Sequence, residues 1–276
     1  MKMKNFALAT TALVGSLLTA GAAMAQSTGS QVNEVENVVV TASGARSVGG
    51  QIVETLPKSR ASVDAEFLAA QSTGQTIFQS LNLLPGVSFT NNDPYGSSGG
   101  NLRLRGFDGN RVSVTFDGVP LNDTGNYAVY PNQMLDPELI SRASVNLGTT
   151  DVDSPTASAT GGTINYVTRK PANEFGGIAT LSVGEDNYRR AFLVLDSGAV
   201  GPWGTKAFIA GSYQKYDKWK GPGSLEKKQF NARIMQDIGD RGDFVSLAVN
   251  YNENRNNNIR SLTLADFRNF GKNYDF

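Results

Sequence analysis

Histidine and cysteine, which carry most nucleophilic, acid–base and transition-metal chemistry in proteins, are both absent from this 276-residue chain. Without an imidazole there is no Ser-His-Asp or Cys-His relay, and the commonest transition-metal ligand is missing as well. Carboxylates do not fill the gap: Asp151 and Asp153 are a lone pair in a Ser/Thr-rich loop. We therefore expect no enzyme, no cofactor and no metal site. What remains is the chemistry of backbone amides and of charge. Val38, Val39 and Val40, flanked by Glu36 and Asn37 before and by Thr41 and Ala42 after, form a β-branched run among Gly, Ser, Asn and Gln. A strand with no local neighbour suits β-augmentation, in which a partner supplies the sheet edge; the plainer alternative is the first strand of the domain that follows. Arg103 and Arg105 share one face of an alternating strand, which by itself reads as a pair of solvated charges. Polar and aromatic loops at Asn92 and Tyr95, and at Asn126 and Tyr127, suit contact with a small ligand, and equally suit ordinary turns.

The segments that place these residues begin with a targeting signal. Lys2 and Lys4 precede an apolar run from Phe6 to Ala20, and Ala23-Met24-Ala25 forms a small-residue cleavage site before Gln26. The run is too short for a spanning helix of about 20 residues, so the mature chain is expected to leave the cytoplasm. Lys+Arg and Asp+Glu both number 25, which gives no footprint for nucleic acid. No later stretch reaches the length of a membrane helix, so any membrane crossing must be by strands. The 30 glycines, above the usual roughly 7%, indicate many turns and close backbone approaches.

Beyond residue 50 the texture changes twice. Ser62 to Leu68 reads as a helix start capped by Ser62 or Asp64. Thr76 to Leu84 carries Ile77, Leu81 and Leu84 at helical spacing and stops at Pro85-Gly86. Strands are expected at Val87 to Phe89, Leu102 to Arg105, Val112 to Phe116, Ala143 to Leu147 and Gly162 to Thr168, with a turn at Asp117 to Pro120 and one helical turn at Pro137 to Ile140. This is a small α+β unit. From about residue 173 the pattern is almost purely alternating, with five strands at about 175–183, 187–196, 205–215, 227–238 and 243–253. A tight turn follows the second and fourth, a polar loop from Asp217 to Glu226 follows the third, and residues 255–276 look Asn-rich and irregular. Phe230, Ala232 and Ile234 alternate with Gln229, Asn231 and Arg233, and Val245, Leu247, Val249 and Tyr251 with Ser246, Ala248, Asn250 and Asn252. Such a dyad suits a barrel with lipid outside and water inside, or a soluble antiparallel sandwich.

Five strings in order, ENVVVTAS, LPGVSF, LRLRGFDGNRVSVTFDGVPLND, DPELISRASVNLGT and ATGGTINYVTRKP, span residues 36–172. The chain thereby resembles the TonB-dependent outer-membrane receptors, departing locally at Ser158-Ala159-Thr160-Gly161-Gly162, where that family often has an aromatic-Gly pair. The resemblance implies a signal peptide at 1–25, a periplasmic linker with the TonB box at 26–49, an α+β plug domain at 50–172 and the start of an antiparallel transmembrane β-barrel at 173–276. It implies TonB at Glu36 to Ala42, a plug–barrel contact at Arg103 and Arg105, outer-membrane lipid around the strands, and a small extracellular ligand such as a siderophore, a cobalamin or a carbohydrate. Plugged barrels have 22 strands of about 9–11 residues, and only 105 residues follow Pro171. We therefore expect an N-terminal piece of a longer receptor in the outer membrane of a Gram-negative bacterium. The rival reading is a soluble exported β-rich binding or adhesion module without transport.

Overall fold

The computed structural model describes residues 51–52, 54, 59–148, 154–239, 241–257 and 259–275. The expected signal peptide, the strand at Val38 to Val40 with its flanks, and the Asp151/Asp153 pair lie outside the described residues.

Two helices and nine strands come first: β1 Gln51–Ile52, β2 Arg60–Asp64, α1 Ala65–Ala69, α2 Ile77–Leu81, β3 Val87–Asn91, β4 Gly100–Leu104, β5 Phe107–Asp108, β6 Val112–Phe116, β7 Val119–Pro120, β8 Ile140–Leu147 and β9 Gly162–Thr168. They form a six-stranded sheet in the order β1-β2-β8-β9-β6-β7 and a three-stranded sheet β3-β4-β5. All pairings are antiparallel except β6 with β9. The expected helix start at Ser62 is instead the middle of β2, whose Ala61, Ser62 and Val63 are buried. Asp64 is the true cap, accepting from the Phe67 amide at 2.9 Å. Two neighbouring cap-type residues left the boundary ambiguous in the sequence. The reversal after β6 is likewise tighter than expected, because Val119 and Pro120 already pair back with Phe116 and Thr115.

One face of the larger sheet packs against α2. Phe78 lies at its centre, 5.6 Å from the Phe89 ring and 5.9 Å edge-on from Tyr166, amid Leu81, Leu104, Val112, Val114, Val145 and Ile164. The opposite face is also buried but polar. Ser62 and Ser144, Asn146 and Thr163, and Thr115 and Asn165 bond to each other across the strands at 2.8, 2.8 and 2.6 Å, so each buried hydroxyl row satisfies itself. Gly162, at φ +132°, enters where a Cβ would lie 2.4 Å from the Asn146 carbonyl oxygen. No other residue fits there.

A second sheet follows: β10 Phe175–Val183, β11 Arg189–Ser197, β12 Lys206–Asp217, β13 Ser224–Ile238 and β14 Asp243–Asn256, each antiparallel to the next. These strands do not close into a barrel. β12 and β13 run longer than expected, leaving 218–223 as their connection in place of Asp217 to Glu226. The tail is not irregular throughout. α3, Leu264–Phe270, starts in a capping box, with the Asp266 amide donating to Thr263 Oγ1 and the Thr263 amide to Asp266 Oδ2, both at 3.1 Å.

In the second sheet the usual burial rule is reversed. Leu181, Leu193, Ile209, Phe230, Ile234, Val245, Leu247 and Val249 are exposed, whereas Arg190, Asp196, Gln214, Gln229 and Asn231 are buried. The polar side is covered by the α+β unit. A soluble sandwich hides its apolar side and wets its polar one. Here the apolar side chains line the outer face, as in a barrel wall facing lipid. Among the described residues no helix is long and apolar enough to cross a membrane, which says nothing about crossing by strands.

Candidate functional site: the contact between the α+β unit and the five-stranded sheet

The chemistry-bearing side chains gather where the α+β unit meets the inner face of β10–β14. The central contact is ionic. The segment Met134 to Leu139, which ends in a 3-10 turn set by Pro137, lies across β11 and β13. Arg190 of β11, with 0% of its side chain exposed, reaches Glu138 through both terminal nitrogens at 2.7 and 3.0 Å, and Asp136 Oδ1 at 3.5 Å. Lys227 and Gln229 of β13 donate to the Met134 carbonyl at 3.1 and 2.7 Å, and the Asp136 amide donates to Gln229 Oε1 at 3.1 Å. The paired, planar geometry is what a guanidinium offers and an ammonium does not. Directly beside it lies a dry patch in which Leu139 meets Phe192, Val194, Phe208 and Ala210.

Two further contacts bracket this centre. Toward the tight-turn end, Arg233 pairs with Asp117 at 3.1 Å, and Asp117 also accepts from the Thr168 amide at 2.9 Å and from the Thr168 hydroxyl. Arg169 donates to both oxygens of Asp196 at 2.9 and 2.7 Å. At the other end, which carries the connections 184–188 and 218–223, the loop from Asn91 to Gly99 docks among tyrosines. Tyr95 stacks on Tyr188 with 3.8 Å between centroids, and meets Tyr216 edge-on at 4.9 Å. Tyr216 donates to the buried Asp93 and accepts from the Ser97 amide at 2.9 Å. Burial raises the Asp93 carboxyl above its ordinary value, against the opposing pull of its hydrogen bonds to Tyr216, Ser98 and Tyr95. Burial likewise pushes the Tyr188 phenol up to about 12. Gly74, at φ +80°, lets the α+β unit approach so closely that a Cβ would stand 2.2 Å from Tyr188 Oη. The segment after β14 folds onto the same end, with Lys218 against Asp275 at 2.7 Å.

The residues singled out in the sequence fall into three groups. Tyr95 and Asn92 belong to the docked loop; the Asn92 carbonyl accepts from Trp219 Nε1 at 3.1 Å. Asn126 and Tyr127 form a self-contained Asx turn around Asp123, whose Oδ1 accepts from Gly125 and Asn126 at 2.7 and 3.2 Å, and no contact joins this turn to the tyrosine cluster among the described residues. Arg103 pairs with Asp108 at 3.3 Å on the surface. Arg105, at φ +50°, lies over Gly86 and Gly148 of its own unit. Among the described residues neither arginine forms an ion pair with β10–β14. Of the groups that do carry this contact, Asp93 lies inside the loop already marked by Asn92 and Tyr95, whereas Arg190, Asp136, Glu138 and Tyr216 were not singled out. Their only signal is a polar residue on a wall strand, or a place inside the DPELISR string. Among the described residues, no three acidic side chains assemble to hold a metal ion.

A family model described as TonB-dependent Receptor Plug Domain matches residues 53–163. Among solved structures, the chain is similar to the pyoverdine outer membrane receptor FpvA of Pseudomonas aeruginosa PAO1 bound to pyoverdine, at 21% identity and TM-score 0.60, over 72% of this chain and 28% of that one. It is similar to the alcaligin outer membrane receptor FauA of Bordetella pertussis at 19% identity and TM-score 0.57, over 72% of this chain and 32% of that one. It is similar also to the copper transporter OprC at 18% identity and TM-score 0.58, over 76% of this chain and 32% of that one. At these identities the likeness is one of fold, and the chain spans no more than about a third of the length of these relatives.

Proposed function

We propose that the full-length protein is an outer-membrane receptor importing a small extracellular nutrient with energy delivered through TonB, with residues 53–163, which match the TonB-dependent Receptor Plug Domain model, in its plug and the antiparallel strands that follow as the first of a barrel wall. The observation that carries this reading is the outward apolar face of β10–β14, exposed where a soluble sheet would hide it, while Arg190, Asp196, Gln214, Gln229 and Asn231 turn toward the plug. A soluble binding module would leave that apolar face in water, where contiguous patches of this kind are rare. In this reading residues 1–25 are a cleaved export signal, 26–49 a periplasmic linker, 50–172 the plug and 173–276 the beginning of the wall. Ligand is taken at the end that carries Asn92 and Tyr95, with Asn126 and Tyr127 as further contacts. A siderophore, a cobalamin or a carbohydrate fits the class. Arg103 and Arg105 meet wall strands other than the five described.

TonB acts on Glu36 to Ala42. A strand added edgewise bonds along its backbone, so loss of one amide in its middle is damaging while its side chains are tolerant. Proline at position 39 removes that donor and fixes φ. We expect Val39→Pro in the full-length receptor to abolish capture of TonB's periplasmic domain in a pull-down, with the thermal unfolding of the plug unchanged. Undiminished capture by this variant would overturn the assignment of the strand.

A further inference from the structure

The register of β11–β14 sets inward residues of equal depth side by side, and their chemistry changes across the wall. One row reads Phe192, Ser212, Gln229, Asn252; the next reads Val194, Ala210, Asn231, Asn250. On β11–β13 the plug is held by the Arg190 and Arg233 ion pairs, by Lys227 and Gln229, and by the dry patch around Leu139. On β14 it is held differently. Asn252 and Asn254 donate to the Asn132 carbonyl at 3.5 and 3.1 Å, and Asn256 donates to the Ser97 carbonyl. Each is a neutral carboxamide touching backbone.

The same strip borders a cavity of about 280 Å³, lined on the plug side by Phe116, Leu121 and Met134 and on the wall side by Asn231, Asn250 and Asn252, with no charged side chain in its lining. In its lining Asn231 Oδ1 and Tyr166 Oη, and farther along β14 Asn254 Oδ1 and Asn256 Oδ1, are buried without protein hydrogen-bond partners. On the attached side Asp136 Oδ2 and Arg190 Nε also lack partners, yet both groups are fixed through their other atoms. Separation along the strip breaks only neutral hydrogen bonds to backbone carbonyls, which water can replace. Separation along β11–β13 would instead strip charges of their partners and wet an apolar patch.

We infer that the plug parts from β14 along this carboxamide strip, Asn250, Asn252, Asn254 and Asn256, opening the cavity to Asn231 at its border, while the contacts of β11–β13 through Arg190, Lys227, Gln229 and Arg233 hold. The strip then forms one wall of the passage, offering hydrogen-bond donors and acceptors without charge to hydroxyl and carbonyl groups of a passing solute. The inference rests on the energised-import reading above.

Residues 1–276 hold no cysteine, so a thiol introduced there needs only the replacement by serine of any cysteine elsewhere in the receptor to be unique. Asn231 and Ala210 are register partners and are 2% and 4% exposed, which makes them matched reporters. Asn231→Cys and Ala210→Cys are placed in the full-length receptor in cells and labelled with a small maleimide, with and without TonB. With opening faster than labelling, the rate follows the open population. Asn231→Cys should label at least about tenfold faster with TonB than without it, equivalent to 1.4 kcal/mol of easier opening, while Ala210→Cys stays protected. Should Asn231→Cys not reach the membrane, Met134→Cys, 7% exposed on the plug side of the same cavity, gives the comparison. With TonB capture intact, equal TonB-dependent rates at the two positions, or protection at both, overturn the seam and leave the import reading standing. Failure of the receptor to capture TonB overturns the import reading and the seam with it.

Discussion

At the scale of single residues, Arg190 shows why a buried charge must be judged with its partners. It is wholly enclosed, yet Glu138 and Asp136 surround it. Removing the guanidinium alone leaves Glu138 uncompensated and Asp136 with only Lys227, 4.0 Å away, and breaking a buried pair in this way costs about 3–5 kcal/mol. Arg190→Met should therefore lower the thermal stability of the full-length receptor strongly, and adding Glu138→Gln should recover part of the loss. A double-mutant cycle with simply additive effects would show that the pair is not coupled. Asp93 makes a different prediction. Its carboxyl is raised above the ordinary 3.8 by burial, so between those two values the folded protein binds this proton more tightly than the unfolded chain. Stability linked to Asp93 therefore falls as pH rises from 3.8 through the folded value, and Asp93→Ala should flatten that part of a melting-temperature profile. These contacts were poorly legible. Ala191 to Leu195 are apolar on both faces, so the sequence does not say whether Arg189 or Arg190 turns inward, nor that the partner of Arg190 lies 52 residues earlier.

At the scale of elements, the wall strands were the easiest to read, because a period of two is their whole signal. The expected 243–253 became Asp243–Asn256 and 175–183 became Phe175–Val183. Short elements were harder. β2 was hidden because Ser62 and Asp64 both suit a cap. α3 was masked by the surrounding Asn and Arg, although Thr263-x-x-Asp266 before its apolar residues is a capping-box signature. Burial by a partner surface, not local pattern, decided the rest. The outward face of β14 gives a direct test. Leu247, 66% exposed, lies within it, and an arginine on a lipid face costs about 2–4 kcal/mol near the bilayer midplane. Leu247→Arg should reduce folding of the full-length receptor into vesicles by that amount. Folding unchanged from the parent would show that this face does not meet lipid.

At the scale of the whole molecule, the five-stranded sheet leaves β10 and β14 as edges and carries an apolar outer surface that water does not favour. Residues 1–276 produced alone should stay monodisperse only in detergent. A monomer in plain buffer by light scattering would contradict the lipid-facing assignment. The plug's place against the wall was the least legible level, since it depends on pairings such as Tyr216 with Asp93, 123 residues apart. Those same pairings leave the molecule with an optical consequence. The chain has two tryptophans, and β12 separates them. Trp203 is 80% exposed in the turn before that strand, whereas Trp219, beyond its far end, is 51% exposed and bonded to the Asn92 carbonyl of the docked loop. One indole thus senses the docked loop and the other does not. When the loop leaves, Trp219 emission should shift to the red while Trp203 stays constant, giving an unlabelled fluorescence signal with its own internal reference.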